Sequence, residues 1–137
     1  MTTHQTKYRI IYADTDNMGF VYYGNYLRLF EIGRTEIFRD WGLAYKNIEE
    51  KGIFLPVSEV FCKFKEPARY DDVVTIETSL DTRIKGGMKF DYRIWDEASQ
   101  KIRAHGYTKH ACLNRQGRVV RPPKFIQEII QKKMTSN

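Results

Sequence analysis

The chain has 137 residues, 42% of them hydrophobic and 14% aromatic, with a formal net charge of +6. That is the length of one domain with enough apolar mass for one packed core, which excludes a disordered chain. Its apolar runs are only a few residues long, far below the roughly 20 that span a bilayer. The opening Met1-Thr2-Thr3-His4-Gln5-Thr6-Lys7 has no apolar signal core, so a cytoplasmic location is expected. Cys62 and Cys112 come without CxxC or His-rich spacing, which predicts free buried thiols and no metal site. The basic residues are interleaved with acids rather than gathered in a block. Nucleic acid is therefore not the expected partner; a mild positive excess suits a small phosphorylated ligand.

Residues 1–6 read as a flexible end. Residues 7–13 read as a strand, which Asn17, Gly19 and Gly24 then break. Asn25 is a candidate N-cap for a helix running to about Trp41. Tyr26, Phe30, Gly33, Ile37 and Trp41 form a stripe at helical spacing, and Leu27, Ile32 and Phe38 add a second apolar side, as in a helix enclosed by a sheet. Gly33 weakens the helix interior, for which close approach of helix and sheet is the expected compensation. Gly42 ends the helix, and 44–51 reads as a short second one. Strands follow at 53–65, with Pro56 fitting an edge or a bulge, and at 73–85. After the Gly86-Gly87 turn, Met88, Phe90, Tyr92 and Ile94 alternate with Lys89, Asp91 and Arg93, a hairpin partner. The last strand covers 101–114, and a C-terminal helix covers 123–133. The order predicts a single α+β domain over 1–137, a curved antiparallel sheet wrapped around one long central helix.

The chemistry gathers just before that helix. Asp14 and Asp16 lie on the connection into its N-terminus, where free N–H groups and the dipole favour negative charge. Such a site can hold a developing oxyanion while a carboxylate attacks or activates water. Read alone, Asp16 better suits a turn or capping aspartate before the helix.

Asp14, Asp16, Gly19, Val21, Tyr22, Asn25 and Tyr26, then Phe30, Glu31, Arg34, Thr35 and Glu36, then Pro67-Ala68-Arg69-Tyr70-Asp71-Asp72, resemble three segments of the hot-dog-fold thioesterases in the same order. The resembling branch is that of 4-hydroxybenzoyl-CoA thioesterase and the Tol–Pal-linked acyl-CoA thioesterases. The resemblance implies a hot-dog fold and an acyl-CoA thioester hydrolase with Asp16 as general base or nucleophile. It implies that Tyr23 acts through its backbone amide on the thioester carbonyl, at a position where the Tol–Pal-linked enzymes usually carry histidine. Gly19, Val21, Tyr22 and Asn25 would bind substrate, with Tyr22 weighed between acyl pocket and core and the core favoured. Asp14 reads as structural. Arg83, Lys85 and Lys89 flank the glycine turn and would clamp coenzyme A phosphates, or else form a solvated hairpin tip. Coenzyme A enters as part of the substrate, with no metal or redox cofactor. The resemblance further implies a homodimer or homotetramer, with Asp16 beside residues 57–61 of the partner subunit. Glu31 is a rival carboxylate, read first as a partner for Arg34, while His105 and His110 read as satisfied strand histidines. A non-catalytic acyl-CoA-binding module is the alternative function. A hot-dog dehydratase is disfavoured because no histidine lies near Asp16 in the sequence.

Overall fold

The computed structural model describes residues 2–135. One antiparallel five-stranded sheet has the order β1-β3-β4-β5-β2, with β1 Thr2–Arg9, β2 Val57–Phe64, β3 Val73–Leu80, β4 Met88–Asp96 and β5 Ile102–His110. Three helices join it: α1 (Asn25–Asp40), α2 (Tyr45–Glu50) and α3 (Lys124–Thr135). The sheet curves around α1, as the order of elements requires.

α1 forms because Tyr26, Leu29, Phe30, Gly33 and Ile37 fall on one helical face, and all are buried against the sheet. Each fully buried Leu, Ile or Phe contributes about 1.5–3 kcal/mol. The Phe30 ring stacks on Tyr92 of β4 with centroids 4.2 Å apart. Next along this face, a Cβ on Gly33 would lie 2.2 Å from Thr78 Oγ1 and 2.8 Å from Ile76 Cγ2. Helix and sheet therefore touch backbone to side chain, the close approach for which the sequence reserves a glycine. On the second apolar side Phe38 is buried edge-on against Trp41, Tyr45 and Phe90. Leu27 departs from expectation and is 41% exposed.

Residues 2–6, expected to be flexible, belong to a strand. β1 begins at Thr2 and pairs with β3 from Thr2↔Leu80 to Arg9↔Val73. His4, Thr6 and Tyr8 lie half-buried while Thr3, Gln5 and Lys7 face out. The alternation is present but carried by short polar residues, which hid it from a reading of apolar periodicity. Met1 lies outside the described residues. The strand also ends early, because Tyr12–Asp14 winds into one 3-10 turn. β2 and β5 are shorter than expected, since residues outside them join only by isolated bridges, Phe54↔Leu113 and Leu113↔Val119. β3 likewise stops at Leu80. β2 is a sheet edge whose register shifts between Val57 and Glu59, the edge and bulge that Pro56 announces.

Candidate active site

Between β1 and α1 the chain makes two consecutive tight turns, each built around an aspartate. The Asp14 side chain is buried: Oδ2 accepts the Ile11 N–H at 2.9 Å and the Tyr8 hydroxyl at 2.7 Å, and Arg28 of α1 pairs with Oδ1. Its carbonyl accepts the Tyr22 N–H at 2.9 Å and Asn25 Nδ2 at 2.8 Å. Asp14 is the structural aspartate expected. In the second turn Asp16 Oδ1 accepts the N–H groups of Met18 at 2.8 Å and Phe20 at 3.3 Å. The Asp16 N–H donates to the Phe20 carbonyl at 2.8 Å, and the Gly19 N–H returns to the Asp16 carbonyl at 3.1 Å. This turn needs φ +81° at Gly19, a conformation open to glycine. Asp16 is exposed, and its Oδ2 has no partner among the described residues.

The helix start differs from expectation. Gly24, not Asn25, holds the N-cap position, and no side chain caps the helix. Asn25 instead spends its amide on the Asp14 carbonyl. A helix N-terminus carries four N–H groups without intrahelical acceptors. Those of Asn25, Tyr26 and Leu27 turn back on the carbonyls of Tyr22, Tyr23 and Gly24. The N–H groups of Tyr23 and Gly24 have no acceptor among the described residues. Two adjacent donors therefore stay open at the positive end of the helix dipole, beside the Asp16 turn.

Aromatic rings wall this opening. Tyr22 and Tyr23 lie 4.7 Å apart, Tyr23 meets Phe64 of β2 edge-on at 6.1 Å, and Phe64 meets Tyr26 at 5.5 Å. Tyr22 is 48% exposed, so the core placement favoured from sequence is corrected: a Cβ on Gly24 would come within 3.1 Å of the Tyr22 ring, which folds over the helix start instead. The Tyr23 phenol beside it holds the Tyr22 hydroxyl above the usual phenol range. Val21 is 4% exposed and packs in the core, its N–H on the Ala68 carbonyl, so it supports the site from behind. Loop 66–72 closes the floor: the Ala68 N–H donates to the Tyr26 hydroxyl at 3.0 Å and the Tyr70 N–H to the Gly19 carbonyl at 3.0 Å.

The glycine hairpin lies elsewhere. β3 starts opposite Arg9, near the two aspartates, and ends opposite Thr2, where the hairpin begins. About 23 Å of strand separates Asp16 from Arg83, Lys85 and Lys89 of the same chain. Arg83 forks onto the buried Asp81 carboxylate at 2.9 Å and 2.8 Å. Lys89 pairs with Asp91 at 3.1 Å and Asp81 at 3.5 Å. Only Lys85 faces solvent without a partner among the described residues, at the lip of a cleft of about 450 Å3 between the hairpin and α3. Proximity along the sequence to a glycine turn did not reveal this internal pairing, because the acceptor Asp81 read as part of a long strand.

The description of the thioesterase-like superfamily matches residues 12–130. The chain belongs to that family. Among thioesterase-like relatives it is 32% identical to the acyl-CoA thioesterase YbgC of Haemophilus influenzae, covering 77% of each chain. Among solved structures it resembles protein TT1821 of Thermus thermophilus, with 31% identity, a TM-score of 0.87 and coverage of 96% and 97%. It also resembles the DHNA-CoA thioesterase of Staphylococcus aureus, with 25% identity, a TM-score of 0.89 and coverage of 98% and 93%. The thioesterase-like chain has the hot-dog fold.

Other candidates of this thioesterase-like chain have partners of their own. Glu31 lies 3.9 Å from Arg34 and is largely exposed. His110 is buried, its Nδ1 on the Leu55 carbonyl at 2.9 Å and its Nε2 on Thr108 at 2.8 Å. Burial pushes the Cys62 thiol up to about 11, so it is no nucleophile at neutral pH. Sequence reasoning missed Gly24 as an open donor and Arg28 as the partner of Asp14. The first is legible only from the absence of a capping side chain at Gly24; the second has no sequence signal, the two charges being on different elements. Among the described residues no helix is long and apolar enough to cross a membrane.

Proposed function

We propose that this protein hydrolyses acyl-CoA thioesters to a carboxylic acid and free coenzyme A. The observation that carries the reading is the Asp16 carboxylate, one oxygen tied and one open, beside a helix N-terminus with two unspent N–H groups. The Tyr23 and Gly24 amides receive the thioester carbonyl oxygen and hold the charge that grows there. Asp16 Oδ2 then attacks the carbonyl carbon, expelling the coenzyme A thiolate and leaving a mixed anhydride for water to cleave, or it removes a proton from an attacking water. General-base assistance supplies about 10²–10⁴ in rate and one oxyanion donor about 10²–10³. Tyr22, Tyr23 and Phe64 border the acyl group, and Gly19 and Asn25 hold the turn and helix start in place. The names of the relatives support this substrate class. The chemistry needs no metal or redox cofactor, so dialysis against a chelator leaves the rate unchanged.

The site is completed by a second copy. β2 is an open edge with Val57, Val60, Phe61 and Phe64 each 44–46% exposed, a surface that pairing would cover. Antiparallel pairing of two such edges about a two-fold axis closes the assembly. It sets the Val57 end of one β2 beside the Phe64 end of the other. The hairpin carrying Lys85, which flanks the Val57 end through Met88↔His110 and Val57↔His110, thereby reaches the Asp16 opening of its partner. Lys85 serves as phosphate clamp in trans, while Arg83 and Lys89 shape the hairpin around Asp81. Two free cysteines suit the reducing cytoplasm.

A screen over acyl-CoAs with free-thiol detection tests the reading. Thiol release on at least one acyl-CoA is expected; tight binding of acyl-CoA with no release would make the protein a binding module.

A further inference from the structure

Asp14 is more than a turn residue, because it ties together three pieces of the site. Its carboxylate gathers Tyr8 of β1, the Ile11 amide and Arg28 of α1, while its carbonyl gathers the Tyr22 amide and the Asn25 side chain. Arg28 in turn donates to the Tyr8 hydroxyl at 3.0 Å and lies over the Tyr8 ring at 5.5 Å. By contrast, among the described residues the Asp16 carboxylate is held by Met18 and Phe20 alone, two amides of its own turn. Those bonds fix the shape of the turn. They do not fix where the turn sits relative to the Tyr23 and Gly24 amides. Among the described residues, the side-chain hydrogen bonds and ion pairs between the aspartate connection and α1 run through Asp14: Arg28 on its carboxylate and Asn25 on its carbonyl.

We propose that the Asp14–Arg28 ion pair is a positioning unit that holds the Asp16 carboxylate in register with the open amides at the start of α1. The proposal rests on the hydrolytic reading of Asp16 and deepens it. A buried carboxylate that accepts two hydrogen bonds and pairs with Arg28 has little freedom, so it passes the position of β1 to the helix start rigidly. Neutralising it removes the charged tie to Arg28 while an asparagine of the same shape still accepts the Ile11 amide. The turn and the helix persist, but their relative placement loosens. Such a change acts on the chemical step rather than on coenzyme A binding, which the hairpin of the partner serves.

The test is steady-state kinetics on an acyl-CoA that the wild type hydrolyses, with circular dichroism and Tm recorded for each variant. Asp14→Asn is expected to lower kcat about 10²-fold, the loss that a misplacement of about 1 Å produces, with KM essentially unchanged. Arg28→Gln should reproduce that loss and Arg28→Lys should restore most of the activity. Added to Asp16→Asn, Asp14→Asn should cause no further loss, since residues acting as a unit are not additive. A folded Asp14→Asn with wild-type kcat overturns the proposal, and so does an undiminished further loss in the Asp16→Asn background. If Asp14→Asn fails to fold, the Arg28→Gln and Arg28→Lys pair decides: equal kcat in both overturns the proposal. Wild-type activity in Asp16→Asn would overturn the hydrolytic reading itself and this one with it, whereas an active Asp14→Asn beside an inactive Asp16→Asn overturns the positioning alone.

Discussion

Gly33 on α1 sits under Thr78 of β3 so closely that a Cβ would lie 2.2 Å from the threonine hydroxyl oxygen. Thr78 is β-branched and fully buried, so it has little room to rotate away. Gly33→Ala gains helix propensity of about 1 kcal/mol. Overpacking of this kind costs about 1–3 kcal/mol. Here the contact involves a rigid side chain on a central strand, so we expect net destabilisation, read as a lower Tm and a lower denaturant midpoint. A more stable Gly33→Ala protein would mean that helix and sheet separate easily.

Stability should fall in two steps as the pH drops. His110 donates its Nδ1 proton to the Leu55 carbonyl, which leaves Nε2 as acceptor for the Thr108 hydroxyl, itself joined to Tyr92 at 2.7 Å. Burial pulls the imidazole below its ordinary range, so the unfolded chain takes up a proton first. Stability attributable to neutral His110 is thus complete above about pH 6.5 and declines below it. Asp81 is held well below the usual carboxylate range, first by its hydrogen bonds from Arg83. Its contribution is present above about pH 4 and is lost as the pH falls further. Urea midpoints measured across pH should show both declines, and His110→Gln should flatten the upper one.

Alkylation should spare activity. Cys62 is half-buried with its thiol pushed up to about 11, and Cys112 is fully buried with its thiol also raised. Iodoacetamide at pH 7.5, about 3.5 pH units below the Cys62 value, meets almost no thiolate. Rapid inactivation would place a cysteine in the chemistry.

The shared site gives a complementation test. Lys85→Ala should raise KM for acyl-CoA while leaving thioesters without the nucleotide nearly unaffected. If hairpin and aspartate come from different copies, co-expressing Asp16→Asn and Lys85→Ala chains yields one fully assembled site per mixed dimer. Activity at low acyl-CoA should then exceed that of either variant alone. A mixture no better than the average of its parts would put both residues in the same chain's site.

Much of this was legible in the residues. α1 could be read because its large apolar side chains recur at helical spacing, and β4 because Met88, Phe90, Tyr92 and Ile94 alternate cleanly into the core. The first part of β1 could not, since its inward positions His4 and Thr6 are polar and pair with β3 far along the chain. At the site, Asp16 and its turn follow from a glycine that tolerates a positive φ. The ion pairs of Arg83 and Lys89 with Asp81, and of Arg28 with Asp14, depend on tertiary placement that no local pattern encodes.

The central claim is that the Asp16 carboxylate performs the hydrolysis. Asp16→Asn keeps the oxygen that the Met18 and Phe20 amides need, so the turn should persist and the protein should stay folded and bind acyl-CoA. Single-turnover thiol release by this variant is the most direct measurement. The account expects a loss of at least about 10²-fold, the lower range for removing a catalytic base. A rate within about tenfold of the wild type, well short of that range, would contradict it.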